Sequence, residues 1–234
     1  MKIFLAELLG TMILILLGNG VVANTVLKKS KGENSGWLTI CFGWALGVAI
    51  PAVMFGSVSG AHFNPALTIG LAVIGKFAWS SVPTYLAAQF IGAFIGAVLV
   101  FTYFYPHYKE TEDKGAKLAT FATGPAIKNT VFNFISEFIG TAILIFTILG
   151  VGTANVAEGV GPIIVGGIIL AMGVCLGGTT GYAINPFRDL APRIAHAILP
   201  IPGKGDSDWG YAWIPVVGPL LGGVVGAILF NLVF

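Results

Sequence analysis

The sequence predicts an all-α integral membrane protein: six transmembrane helices plus two re-entrant half-helices, arranged as two inverted repeats. Three observations carry that prediction. Hydrophobic residues make up 56% of the 234 residues and charged residues only 9%, against roughly 25% charge in a soluble domain. Six apolar stretches approach the ~20 residues needed to cross a hydrocarbon core. The second half of the chain also repeats the first at fixed separations. The same composition excludes other classes. So few polar groups cannot cover a water-facing surface. A net charge of +2 with no basic cluster leaves no footprint for nucleic acid. No HExxH, GxSxG or P-loop pattern occurs. Cys41 and Cys175 sit in apolar runs without metal or disulfide spacing, so both read as core packing. No metal, no cofactor and no enzymatic chemistry is expected.

In chain order the predicted spans are 4–26, 37–56, 82–104, 131–152, 160–178 and 212–233. The first follows Met1-Lys2 like a secretory leader. It reads as a span because Glu7 interrupts it and no small-residue cleavage site precedes a soluble domain. Polar connectors at 27–36, 105–130 and 198–211 separate the others, with a short one at 153–159. An even number of spans puts both termini on one side. Two further apolar stretches, 64–75 and 185–197, are too short to cross, and each begins Asn-Pro. Asn is a favoured N-cap, and proline suits the first helical turn, where its missing N–H has no partner. Each therefore reads as a short helix starting abruptly at membrane depth. Lipid does not tolerate the open backbone around such a start, so both must be buried in protein or line a watery cavity.

The repeat fixes the arrangement. Residues 4–20 resemble 134–150 at a separation of 130, with Glu7 on Glu137, Gly10 on Gly140 and Thr11 on Thr141. Residues 89–99 resemble 219–229 at the same separation, with Gly92 on Gly222 and Gly96 on Gly226. The Asn-Pro segments align at 121, Gly60, Asn64 and Pro65 falling on Gly181, Asn185 and Pro186. Repeat one covers about 1–104, the connector 105–130, and repeat two about 131–234, all within a single membrane domain. Each half holds three spans, so the second enters from the opposite side. Such inverted repeats with broken helices place a permeation or binding site near the midplane.

With these residues in view, the chain resembles the aquaporin/major intrinsic protein family over essentially its whole length. The resemblance rests on Ser59-Gly60-Ala61-His62-Phe63-Asn64-Pro65-Ala66 and on Gly181-Tyr182-Ala183-Ile184-Asn185-Pro186-Phe187-Arg188-Asp189. Asp189 after the arginine, Arg193 four further on, and Pro215 resemble the glycerol-facilitator branch. The resemblance implies a constriction of Trp44, Gly173, Tyr182 and Arg188. Tyr182 stands where the best-known glycerol facilitators have Phe, and its hydroxyl is expected to narrow the filter or bind cargo. The second motif reads Asn-Pro-Phe, which puts the bulky Phe187 where the two helix starts meet.

Roles follow for each group. Arg188 offers five donors to substrate hydroxyls and repels cations. Asn64 and Asn185 present amide donors between two positive helix ends, which disfavours cations and orients water. Trp44 and Tyr182 offer apolar faces to a carbon backbone, whereas Trp37, Trp79, Trp209 and Trp213 read as interfacial aromatics. The resemblance also implies acceptor carbonyls along the pore at Gly60, Ala61, His62, Gly181, Tyr182 and Ala183. The His62 side chain reads equally as wall or as structural support. Glu7 and Glu137 are expected to hold the re-entrant backbone, and Asp189 to support Arg188 or its loop.

The function implied is passive diffusion of glycerol and other small neutral solutes, with some water, excluding ions and protons. Water, dihydroxyacetone, urea, hydrogen peroxide and protonated lactic acid remain alternative main cargoes. An ion-coupled secondary transporter is the rival class, with Glu7 and Glu137 as its only coupling candidates. The resemblance further implies a homotetramer in the lipid bilayer of the plasma membrane, with cytoplasmic termini. Lysine counts point the other way, because connectors 27–36 and 105–130 hold most of the lysines. The resemblance is followed on this point.

Overall fold

The computed structural model describes residues 1–157 and 159–234. Among the described residues ten α-helices run in order: α1 (Lys2–Val26), α2 (Trp37–Ser59), α3 (Pro65–Val73), α4 (Val82–Tyr103), α5 (Tyr105–Glu110), α6 (Lys114–Ala119), α7 (Thr130–Thr153), α8 (Val160–Leu176), α9 (Pro186–Ile198) and α10 (Ile214–Val233). A 3₁₀ turn at Trp79–Ser81 leads into α4, and no strand occurs among the described residues. Five of the described helices are long and apolar enough to cross a membrane: α1, α2, α4 with its leading turn, α7 and α10. The chain is a multi-pass membrane protein. Over the predicted span 160–178 lies α8, 17 residues or about 25 Å at 1.5 Å per residue. It is apolar but shorter than those five helices. Span 37–56 extends to Ser59, because only at Gly60, with φ of 81°, does the chain turn out of the helix. The connector 105–130 carries the short helices α5 and α6, which its polar composition concealed.

Close approach between helices follows the repeat. A Cβ on Gly92 would fall 2.2 Å from the Leu8 carbonyl oxygen, and one on Gly222 2.2 Å from that of Phe138. Gly96 and Gly226 likewise abut the Met12 and Ala142 carbonyls. Glycine thus lets α4 lie on α1 and α10 lie on α7 with backbones nearly touching, the small-residue packing that membrane helices rely on. On α1, Gly18 leaves room for the Trp44 ring. The half-helices then cross over: α3 packs mainly on α10 and α9 mainly on α4. Each short helix is therefore walled by the last helix of the other repeat. Leu38, Phe42, Leu46, Ile50 and Val53 form an exposed apolar stripe on α2, as a lipid-facing surface requires. Of the two cysteines, Cys41 is buried as expected, whereas Cys175 is exposed.

Candidate functional site

The segments leading into α3 and α9 are strained and then held. Ala61 and Phe63 have φ of 51° and 47°, and their repeat partners Tyr182 and Ile184 have 38° and 42°. Non-glycine residues in this region cost of order 1–3 kcal/mol each. What fixes them is a buried carboxylate in each half. Glu7 accepts from the backbone N–H of His62 (3.0 Å) and Phe63 (2.9 Å). Glu137 accepts from Ala183 and Ile184, both at 2.9 Å. Glu7 takes two further donors, the Ser59 hydroxyl at 2.7 Å and the Gln89 amide at 2.8 Å. Both carboxylates thus accept from backbone N–H groups of the loops that lead into α3 and α9.

The two helix starts are cross-linked. Asn64 caps α3 by accepting from Ala66 N–H, and Asn185 caps α9 by accepting from Phe187 and Arg188 N–H. One amide donor of each then crosses to the other loop: Asn64 Nδ2 to the Ile184 carbonyl and Asn185 Nδ2 to the Phe63 carbonyl, both 2.8 Å. Each amide has a second N–H to offer, and both asparagines line the same cavity.

Two cavities abut here, of about 310 and about 300 Å³. The first runs past Asn64, Asn185, Gly60, Ala61, His62 and Ala183. The second is walled by Trp37, Thr123, Gly181 and neighbouring apolar side chains. Among the described residues only Trp44, Tyr182 and Arg188 line both, so the two cavities adjoin at these three residues, the neck. The Arg188 guanidinium carbon stacks 3.9 Å above the Trp44 ring. Among the described residues that guanidinium makes one hydrogen bond, Nη1 to Asn19 Oδ1 at 3.3 Å. Its other N–H groups remain for a passing molecule.

Several expectations need correction. Gly173 lines neither cavity; a Cβ there would collide with Tyr182 at 2.9 Å, so it makes room for that ring instead. The Tyr182 hydroxyl does not face the neck. It is buried and without a hydrogen-bond partner among the described residues, so the ring and not the oxygen meets the cavities. The bulk of Phe187 is taken up away from the two asparagines. Its ring turns onto α4 and packs edge-to-face with Phe90 at 5.3 Å. Trp37 is more than an interfacial aromatic, since it lines the second cavity and donates Nε1–H to the Gly173 carbonyl at 3.0 Å. His62 does both things considered for it, lining the cavity while its Nδ1 contacts Thr68 Oγ1 at 3.1 Å.

Asp189 supports the loops rather than Arg188. It pairs with the fully buried Arg193 at 2.7 Å and accepts from Thr123 N–H and Oγ1–H, each at 2.7 Å. Arg193 in turn donates to the carbonyls of Thr123, Ser207 and Asp208. It thus ties to α9 both connector 105–130, which lines the second cavity, and connector 198–211. The Lys204 ammonium covers the end of α9, donating to the His196, Ala197 and Leu199 carbonyls. Partial burial holds its pKa below the ordinary lysine value. Three contributors escaped the sequence reading: Asn19, Thr123 and Gln89. A buried amide within an apolar span was the available signal for Asn19 and Gln89, whereas Thr123 in a polar connector offered none.

A polar-centred passage between apolar helices defines the class, a membrane channel. The Major intrinsic protein family profile matches residues 1–230. The chain is 57% identical over 234 residues to the "Probable glycerol uptake facilitator protein" of Thermotoga maritima, spanning all of both chains. It is 56% identical over 234 residues to the glycerol uptake facilitator protein of Bacillus subtilis, covering all of this chain and 85% of that one. The X-ray structure of the aquaglyceroporin from Plasmodium falciparum superposes with a TM-score of 0.87 at 33% identity, covering 98% of this chain and 95% of that one. The chain belongs to the major intrinsic protein family, in its aquaglyceroporin branch. It is a channel, not an enzyme.

Proposed function

We propose that this chain conducts glycerol and other small neutral solutes passively, with some water, and excludes ions and protons. The observation that carries the reading is the three-residue neck. Arg188 sits over Trp44 with unspent donors, and the Tyr182 ring forms another wall. A molecule with hydroxyls along one edge and C–H groups along the other satisfies both surfaces at once. The fixed charge of Arg188 and the converging positive ends of α3 and α9 oppose cations. The names of the similar proteins from Thermotoga maritima and Bacillus subtilis also point to glycerol uptake.

In this reading α8 serves as the sixth span, and α3 and α9 re-enter the membrane without crossing it. Repeats 1–104 and 131–234 are inverted about the midplane, joined by 105–130. Trp44, Gly173, Tyr182 and Arg188 form the selectivity filter, with Gly173 acting through Tyr182. Asn64-Pro65-Ala66 and Asn185-Pro186-Phe187 form the central motifs. The protein works as a homotetramer in the plasma membrane with both termini cytoplasmic. Glu7 and Glu137 are engaged by backbone N–H groups, which leaves an ion-coupled transporter without its coupling site. Stopped-flow light scattering on proteoliposomes tests the proposal with a panel of glycerol, urea, dihydroxyacetone and water. Glycerol should equilibrate much faster than in protein-free vesicles and without saturating. Equal rates with and without protein contradict it, and flux that follows an ion gradient favours the transporter.

A further inference from the structure

We infer that Cys41 is a positioning residue for the neck: its side chain limits how far the Tyr182 ring withdraws from the passage, and so sets the width open to cargo. This rests on the channel reading above. Tyr182 is 6% exposed, and its ring lies along the backbone of α8. A Cβ on Gly177 would meet its Cδ1 at 2.5 Å, and one on Gly173 would meet its Oη at 2.9 Å. The ring therefore occupies a track of two glycines one helical turn apart, with its hydroxyl at the Gly173 end. The same hypothetical Gly173 Cβ would stand 2.7 Å from Cys41 Sγ, so the thiol and the phenol oxygen meet at one point.

Three walls confine the ring. The α8 backbone cannot yield. Trp37 packs edge-on at 5.7 Å and is itself anchored to the Gly173 carbonyl. The remaining wall, at the hydroxyl end, is the fully buried Cys41 of α2. Tyr182 Oη is buried at that end, and the thiol is the side-chain group it meets there. Contact with the thiol fixes the ring, and interiors this dense transmit even a methylene's change in volume to their neighbours. With backbone on one side and Trp37 on another, a larger group at position 41 drives the ring toward Arg188 and Trp44. A smaller group lets it fall back.

The test is the ratio of glycerol to water permeability in proteoliposomes holding equal amounts of inserted protein, with erythritol as a bulkier polyol. Cys41→Leu should lower the glycerol-to-water ratio at least threefold. Cys41→Ala should raise erythritol entry at least twofold, and Cys41→Ser should restore values near wild type. In a Tyr182→Ala background Cys41→Leu should lose its effect on the ratio, because the ring through which it acts is gone. Cys175→Ser, on the exposed surface, is the control. Should the leucine variant fail to insert, the alanine variant decides. Erythritol entry and a ratio unchanged by Cys41→Ala, in a preparation whose wild type conducts glycerol, overturn the inference while leaving the channel reading intact. A Cys41→Leu effect of equal size with and without Tyr182 also overturns it.

Discussion

Helices α3 and α9 are built alike at their starts and diverge from the second helical residue, Ala66 in one and Phe187 in the other. Each opens Asn-Pro, each asparagine caps its own helix and bonds the other loop, and each preceding loop hangs on a buried glutamate. Beyond that, α3 carries Leu67, Thr68 and Ala72 where α9 carries Arg188, Asp189 and Arg193 at a separation of 121. Thr68 closes its surroundings with neutral bonds, to the Asn64 carbonyl, His62 and Gln89. Its counterpart Asp189 closes them with a buried ion pair that also grips Thr123. The shared part is what a strained backbone needs in order to stop and restart at membrane depth. The unshared part provides the charged neck and anchors the connector that lines the second cavity. Passive symmetry in the scaffold thus coexists with a chemically one-sided passage.

The largest effect should come from that asymmetry. Asp189→Asn leaves Arg193 charged, buried and unpaired, which costs about 3–5 kcal/mol. Thr68→Ala, the matching change in α3, should cost only about 1–2 kcal/mol. Thermal unfolding in detergent compares the two directly, and equal shifts in midpoint would break the contrast. Next, Phe187→Ala removes a partly buried ring from Phe90 and should cost about 2–3 kcal/mol, below the full range for a completely buried phenylalanine. If Phe90→Ala costs nothing by the same measurement, the Phe187 ring is not seated as described.

The neck itself offers a subtler change. Arg188→Leu copies Leu67 into α9 and removes the donors facing the passage. Glycerol permeability relative to water should fall by about tenfold, equivalent to about 1.4 kcal/mol. An unchanged ratio by stopped-flow scattering would show that Arg188 does not select. Smallest of all is the response of the exposed 27–36 loop to acid. Lys28 holds the Glu33 carboxyl below its ordinary pKa, and Lys29 does the same for Glu110. Their stabilisation is complete above the ordinary carboxylate value, declines as pH falls below it, and is gone once pH has passed the lowered folded values. Proteolytic nicking at Lys31 should therefore begin to rise as pH falls below the ordinary carboxylate value and level off in stronger acid.

Much of this comparison was legible in the sequence, for identifiable reasons. Glu7 and Glu137 stood out because charge is rare inside an apolar span, and their common offset tied them to equivalent loops. Asn64 and Asn185 stood out because Asn-Pro announces a helix start wherever it falls. The partner of Asp189 was less legible. Arg188 is its neighbour in sequence, but successive residues on a helix point apart, and it is Arg193, four residues on, that shares its face. Direction likewise decided Phe187 and the Tyr182 hydroxyl. Residue type told their size, but only the packed structure tells that one turns onto Phe90 and the other toward Cys41. Trp37 looked interfacial because it begins a span, and its role depends on a carbonyl 136 residues away.

The central claim is that a charged neck on a symmetric scaffold passes neutral polyols and stops protons. It is tested most directly by following glycerol entry and a pH gradient in the same proteoliposomes, with light scattering for one and an entrapped pH dye for the other. The account predicts glycerol equilibration far faster than in protein-free vesicles while the pH gradient decays at the protein-free rate. A gradient that collapses with glycerol entry, or glycerol entry no faster than through lipid alone, would contradict it.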